Sequence, residues 1–122
     1  MAKKILIVDD EPDIVKVVGF RLKKEGYAVE VAVDGQQGLD MAASIHPDLV
    51  LLDITLPKIN GYEVCKRLKA DEKLKDIPVV FMTASLSTGG FAENFPLTGA
   101  QGYVFKPFDY QNLLNEIQKF LS

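Results

Sequence analysis

Residues 49–52 form an apolar run without a single polar side chain, and the run ends in the carboxylate of Asp53. A short apolar run bounded by turn residues predicts a strand that is buried on both faces, as in the middle of a parallel sheet. Such a sheet needs helices on both of its sides. Asp53 is therefore expected at the carboxyl end of a central strand, the edge at which open α/β sheets bind ligands.

Residues 5–8 repeat this pattern and end in Asp9 and Asp10. Because the carboxyl ends of parallel strands meet at one edge, the two runs should bring three carboxylates together. Close like charges are costly unless a cation or a shared proton relieves them, and a cluster of oxygen ligands suits Mg²⁺. The sequence therefore predicts a magnesium site at this edge.

The remaining apolar runs predict strands at residues 27–33, 77–83 and 102–105, and segments with helical spacing alternate with them. This alternation is typical of a doubly wound α/β fold with a five-stranded parallel sheet and helices on both faces. Asn60 should cap the third helix, with Glu63 as its reciprocal partner.

The fourth helical segment, residues 87–97, is an exception. Gly89, Gly90 and Pro96 interrupt it, and each of these residue types disfavours a helix interior. We expect a short or irregular element there, more mobile than the other helices. Its contact with the core should come from its apolar side chains, namely Phe91, Phe95 or Leu97.

Length and charge limit the possible functions. The 122 residues fit one domain, residues 1–122, and the net charge of −3 argues against nucleic acid or an anionic membrane as the main partner. No apolar run approaches the roughly 20 residues that cross a bilayer. The single cysteine, Cys65, fits a reducing compartment, so we expect a cytoplasmic protein.

Four pieces of sequence together resemble the receiver domain of two-component response regulators: residues 7–11 (IVDDE), 53–61 (DITLPKING), 82–84 (MTA) and 106–108 (KPF). The resemblance extends from the first predicted strand to the last helix. It implies a flavodoxin-like sheet with the strand order 2-1-3-4-5. It also implies a role in two-component phosphorelay signalling. Because no output domain follows Ser122, we expect a stand-alone regulator of the chemotaxis type; a piece of a longer regulator would have the same sequence.

The resemblance also implies roles for the clustered acids. Asp53 would accept a phosphoryl group from a histidine of a sensor histidine kinase or a histidine phosphotransfer protein. Asp9, Asp10, Asp53 and the backbone carbonyl of Thr55 would hold Mg²⁺. The chemistry of the residues agrees, because phosphoryl transfer needs a nucleophile, charge neutralisation and positioning more than covalent help.

Further roles follow from the same resemblance. Thr83 and Lys106 would bind phosphoryl oxygens. Thr83 and the aromatic Tyr103 would be the switch residues, whose rearrangement around the phosphoryl group changes the face formed by the fourth helix, fifth strand and fifth helix. The bond between Lys106 and Pro107 would be cis. An apolar rim for the histidine-bearing partner would consist of Ile14, Pro107 and Phe108, while the downstream protein partner stays unknown.

Three other functions compete with this one. A Mg²⁺-dependent phosphatase with an aspartyl-phosphate intermediate would need a second aspartate two residues after the nucleophile, where this chain has Thr55. A nucleotide or flavin binder would need a phosphate-binding loop after the first strand, where this chain has acids. A receiver-like module that is never phosphorylated is the third. We expect that the protein is not an enzyme and at most catalyses its own phosphoryl transfer and dephosphorylation.

Overall fold

Five parallel strands alternate with five helices in the part of the chain that the computed structural model describes, residues 2–83 and 90–121. The strands are β1 (Lys4–Val8), β2 (Ala28–Ala32), β3 (Leu49–Asp53), β4 (Val79–Thr83) and β5 (Gly102–Phe105). The helices are α1 (Pro12–Lys24), α2 (Gly35–Ile45), α3 (Gly61–Ala70), α4 (Phe91–Thr98) and α5 (Tyr110–Leu121). Within these residues, no helix combines the length and apolar character that a bilayer span requires.

The strand order is β2-β1-β3-β4-β5 with parallel pairing throughout, which confirms the predicted fold class. All residues of β3 and β4 are buried, as expected for central strands that helices cover on both faces. In this order β2 lies on one side of β1, and β3, β4 and β5 follow on the other side, so the strand order reverses between β1 and β3. The carboxyl ends of these two strands therefore form the switch point at which ligands bind in such sheets.

Two apolar clusters lie on opposite faces of the sheet. Val50 and Leu52 of β3 join side chains of α2, α3 and α4, whereas Leu49 and Leu51 join those of α1 and α5. This division follows from the alternation of side chains along a strand. The clusters hold the helices against both faces of the sheet. The positions of the loops at the carboxyl ends of the strands are therefore fixed by the strands and helices that they join.

The beginning of α3 agrees with the predicted cap only in part. The Asn60 side chain accepts a hydrogen bond from the Glu63 amide at 3.0 Å, as an N-cap does. The carboxylate of Glu63 instead accepts a hydrogen bond from Arg67 Nε at 3.0 Å. The reciprocal half of the predicted capping box is therefore wrong, because a charged partner one helical turn away takes that carboxylate.

Helix α4 is the shortest of the described helices, with 8 residues against 10 to 13 in the others. Gly90 and Gly99 flank it with φ angles of 72° and 81°, which favour glycine. The short element is confirmed, but Pro96 lies inside the helix and does not end it. Residues 87–89, where the predicted segment begins, lie outside the described residues.

Aromatic packing explains how α4 tolerates its proline. Phe91 is 1% exposed and its ring centroid lies 6.1 Å from that of Phe81, and Phe95 packs 5.2 Å from Phe91. Tertiary contacts of this kind override a poor intrinsic helix propensity. The expected contact with the core is therefore confirmed for Phe91 and Phe95, whereas Leu97 is 72% exposed. The greater mobility of this element stays a prediction.

We expect backbone amides of α4 to exchange with solvent faster than those of α1. Pro96 cannot donate the hydrogen bond that an interior helical residue normally makes, and α4 has only 8 residues. Hydrogen exchange measured by NMR or mass spectrometry checks this, and Pro96→Ala should slow exchange in α4 alone. Equal protection of α1 and α4 would contradict the expectation.

Candidate functional site

Three carboxylates meet where β1 and β3 end. Asp53 is the last residue of β3, Asp9 and Asp10 directly follow β1, and the register that pairs Val8 with Leu52 brings the two strand ends level. One oxygen from each carboxylate lies within 4.8 Å of the others. Asp9 and Asp53 are buried and Asp10 is exposed, so the cluster opens to solvent on one side.

Lys106 approaches this cluster from the end of β5. Its Nζ atom lies 2.9 Å from Asp9 Oδ2, 2.8 Å from Glu11 Oε1 and 3.7 Å from Asp53 Oδ2. Its backbone amide donates to the Thr83 carbonyl at 2.7 Å, and the peptide bond that follows it, to Pro107, is cis. The ammonium group is thus held close to both buried acids.

A cleft of about 220 Å³ opens above these groups. Thr83, the buried last residue of β4, lines it beside β3, and the exposed Thr55 lines it two residues after Asp53. The structure therefore brings together the residues predicted to bind metal or phosphoryl oxygens. The side chains that line the cleft belong to Asp10, Glu11, Asp53, Ile54, Thr55, Thr83 and Lys106.

Burial and repulsion disturb the ionisation of Asp53. Burial raises the pKa of Asp53 to about 6; Lys106 works against this rise, and the charge on Asp9 adds to it. The amide of Ile54 donates to Asp53 Oδ1 at 2.8 Å, which favours the ionised form without restoring the ordinary value. For Lys106, burial alone would lower the pKa, but hydrogen bonds to Glu11 and Asp9 outweigh it and raise the pKa.

Glu11 is a member of the site to which the sequence assigned no role. Glu11 lies at the start of α1, where the helix dipole favours an acid. An acid at this position is therefore explained by the helix alone, without a ligand. Its side chain makes no capping hydrogen bond and instead accepts one from Lys106. A third acid in the IVDDE segment was the only available signal.

Of the two predicted switch residues, Thr83 lines the cleft, whereas Tyr103 and the predicted docking residues do not. Tyr103 is 38% exposed on β5, and its ring centroid lies 5.3 Å from those of Phe91 and Phe95. Ile14 and Phe108 are partly buried against the cluster that contains α1 and α5, and Pro107 is exposed. Aromatic contacts thus connect the outer face of β5 with α4.

Comparisons with known proteins agree on one family. The family model for the response regulator receiver domain matches residues 5–118. The DNA-binding dual master transcriptional regulator RpaA of a Synechocystis species is 42% identical over 118 residues, which are 97% of this chain and 48% of that protein. This chain thus spans about half the length of that curated relative.

Solved structures show the same fold. The receiver domain of a sensor histidine kinase from Pseudomonas aeruginosa, with a magnesium ion coordinated in its active site cleft, is 30% identical with a TM-score of 0.91. That comparison covers 99% of this chain and 98% of the other. Chemotaxis protein CheY4 of Vibrio cholerae is 29% identical with a TM-score of 0.90, over 98% and 99% of the two chains.

We expect Asp53→Asn to stabilise the metal-free protein near neutral pH. Because the folded-state pKa of Asp53 is raised to about 6, its contribution to stability is present below the ordinary aspartate pKa and is lost as the pH rises through the raised value. A pKa raised from the ordinary aspartate value to about 6 corresponds to a gain of at most about 3 kcal/mol in the free energy of unfolding when the amide replaces the carboxylate.

Chemical denaturation in the presence of a chelator measures this gain. It should vanish at a pH below the ordinary aspartate pKa, where both variants are neutral at this position. Asp13→Asn, at an exposed position in the first turn of α1, is the control and should show no such gain. A lower stability of Asp53→Asn at neutral pH would show that the Asp53 carboxylate is structural.

Proposed function

We propose that this chain, which belongs to the response regulator receiver domain family, accepts a phosphoryl group on Asp53 from a phosphohistidine of a partner protein. The observation that carries the proposal is the meeting of Asp53 with two further carboxylates and an ammonium group in one open cleft. The family match over residues 5–118 supports the same function.

The site fits a divalent cation. Asp9, Asp10 and Asp53 each offer one oxygen within 4.8 Å of the others, and oxygen ligands are those that Mg²⁺ selects. Together with the carbonyl of Thr55 they would hold the ion. Mg²⁺, when bound, neutralises negative charge on the phosphoryl oxygens. The Pseudomonas relative with magnesium in its cleft supports this assignment.

In the proposed transfer, a carboxylate oxygen of Asp53 attacks phosphorus and the bond from phosphorus to the histidine nitrogen breaks. The leaving imidazole keeps the electron pair, and Asp53 becomes an acyl phosphate. Lys106 and Thr83 would donate hydrogen bonds to the transferred oxygens, since both line the cleft beside Asp53. Hydrolysis of the acyl phosphate would return Asp53 to the free carboxylate. The chain would then catalyse only its own phosphorylation and dephosphorylation, without turnover of an external substrate.

The same contacts supply enough energy for a switch. Charge-assisted hydrogen bonds contribute about 1.5 to 3 kcal/mol each, so those of Thr83 and Lys106 together approach the roughly 5.5 kcal/mol that invert a 1:99 equilibrium. The Lys106 amide already binds the Thr83 carbonyl, and Tyr103 packs against α4. We propose that phosphorylation rearranges the face formed by α4, β5 and α5 for a downstream protein.

A phosphodonor that acts without a kinase tests the acceptor assignment. We expect intact-mass analysis, after incubation with Mg²⁺ and a small phosphodonor, to show one added phosphoryl group on the wild type. The adduct should be absent from Asp53→Asn and from samples with excess chelator, because the nucleophile or the charge neutralisation is then missing. Stoichiometric modification under either condition would overturn the acceptor role of Asp53.

The partner that donates the phosphoryl group should contact the apolar rim at the cleft, where Ile14, Pro107 and Phe108 lie. A sensor histidine kinase or a histidine phosphotransfer protein would bring its phosphohistidine to Asp53 from this side. Such a pathway fits the cytoplasmic location that the composition predicts. Ile14 and Phe108 also pack against the cluster that contains α1 and α5.

We expect Ile14→Ala to slow phosphoryl transfer from a cognate kinase and to leave phosphorylation by a small donor unchanged. The substitution removes apolar area from the rim without touching the acids. Parallel rate measurements with the two donors separate docking from chemistry. Equal slowing with both donors would point to a disturbed fold and contradict the docking role.

A further inference from the structure

The loop of residues 54–60, between β3 and α3, is held by hydrogen bonds of its own backbone and by contacts with the first turn of α2. At the α3 end, the Gly61 amide donates to the Ile54 carbonyl at 2.8 Å. In its middle, the Ile59 amide donates to the Pro57 carbonyl at 2.8 Å, and Lys58 adopts a φ of 68°. This tightly turned loop carries Thr55, whose carbonyl is a proposed metal ligand.

The second set of contacts is with the first turn of α2. The Gly35 amide donates to the Pro57 carbonyl at 3.3 Å. A Cβ atom added at Gly35 would lie 2.0 Å from the Ile59 carbonyl oxygen and 2.8 Å from the carbonyl carbon. These are backbone atoms, which cannot rotate away as a flexible side chain does. Any side chain at position 35 must therefore displace the loop or the helix.

An ion pair adds to this contact. Asp34 caps α2 by accepting a hydrogen bond from the Gln37 amide at 2.7 Å, and its other oxygen lies 3.6 Å from Lys58 Nζ. The Lys58 side chain is 68% exposed, so the pair contributes little on its own. The close backbone contact at Gly35 is the stronger constraint on the loop.

We infer that the first turn of α2 acts as a backstop that fixes the loop of residues 54–60, and that Gly35 is a positioning residue for divalent-ion binding. This inference rests on the proposed function, because it takes Thr55 as a ligand of the ion. Mg²⁺ demands nearly ideal octahedral geometry, so a displaced ligand carbonyl weakens its binding. Residues that orient the metal ligands without binding the metal commonly affect metal affinity, because they fix the ligand positions.

Titration calorimetry with Mg²⁺ on the whole chain tests the backstop. We expect Gly35→Ala to weaken Mg²⁺ binding about 10- to 100-fold, the range typical of groups behind metal ligands. Gly19→Ala is the matched control, because a Cβ at this helical glycine has Val29 Cγ1, at 3.8 Å, as its nearest neighbour. It should keep wild-type affinity. Wild-type affinity in Gly35→Ala would overturn the inference.

A second control separates positioning from stability. Leu22 is fully buried in the cluster that contains α1 and α5, away from the loop. Leu22→Ala should lower the melting temperature and leave the Mg²⁺ dissociation constant unchanged. If Leu22→Ala weakens binding as much as Gly35→Ala does, affinity follows overall stability and the positioning role is overturned.

Two substitutions at Lys58 probe the turn itself. Both Lys58→Gly and Lys58→Val remove the ion pair with Asp34, but only glycine adopts the positive φ of this position without strain. We expect Lys58→Gly to keep wild-type Mg²⁺ affinity and Lys58→Val to lose affinity. Equal loss in both would assign loop placement to the ion pair and overturn the backbone account.

Asp10→Asn distinguishes failure of this inference from failure of the metal site. If Asp10→Asn loses Mg²⁺ binding and Gly35→Ala retains it, only the backstop is wrong. If Asp10→Asn binds Mg²⁺ as tightly as the wild type, or the wild type binds none, the assignment of the metal site is wrong. The inference about α2 is then overturned as well.

Discussion

Repulsion among buried carboxylates is the constraint on which the site depends. The pairing of β1 with β3 brings Asp9 and Asp53 together, and Asp10 and Glu11 follow in the chain. Against these four carboxylates stands the single ammonium of Lys106, so the described cluster has three negative charges in excess when all are ionised. Burial is the main cause of the raised pKa of Asp53; Lys106 opposes it, and the charges on Asp9 and Asp10 add to it. A bound divalent ion would offset this excess of negative charge.

Much of this arrangement could be predicted from the sequence, because it follows from local patterns. The apolar runs of β1 and β3 are bounded by turn residues, and parallel strands place their carboxyl ends at one edge of a sheet. These two facts place Asp9, Asp10 and Asp53 together without any knowledge of tertiary contacts. The strand order and the approach of Lys106 came instead from the family resemblance, since nothing local relates β5 to β1.

The wrong predictions from the sequence have a common origin, because tertiary contacts decide between local alternatives. Glu63 can bind its own helix cap or Arg67, and only the folded geometry decides for Arg67. Pro96 disfavours a helix, but the packing of neighbouring aromatic rings retains it within α4. The contact between Gly35 and the loop after β3 is equally invisible in the sequence, because it joins segments more than twenty residues apart. Choices of this kind depend on tertiary structure, and residue preferences alone do not settle them.

The two halves of the site also differ in how firmly the fold holds them. Asp9 and Asp10 follow β1 and Asp53 ends β3; both strands are paired on both sides, and α2 and α3 brace the loop after β3. In the other half, Thr83 ends β4, which is also paired on both sides, but Lys106 follows β5, the edge strand beside a short helix that contains Pro96. A phosphoryl group held between the halves would therefore move Lys106 and β5 more easily than the acids. Since the ring of Tyr103 packs on α4, such a movement would reach the outer face of β5.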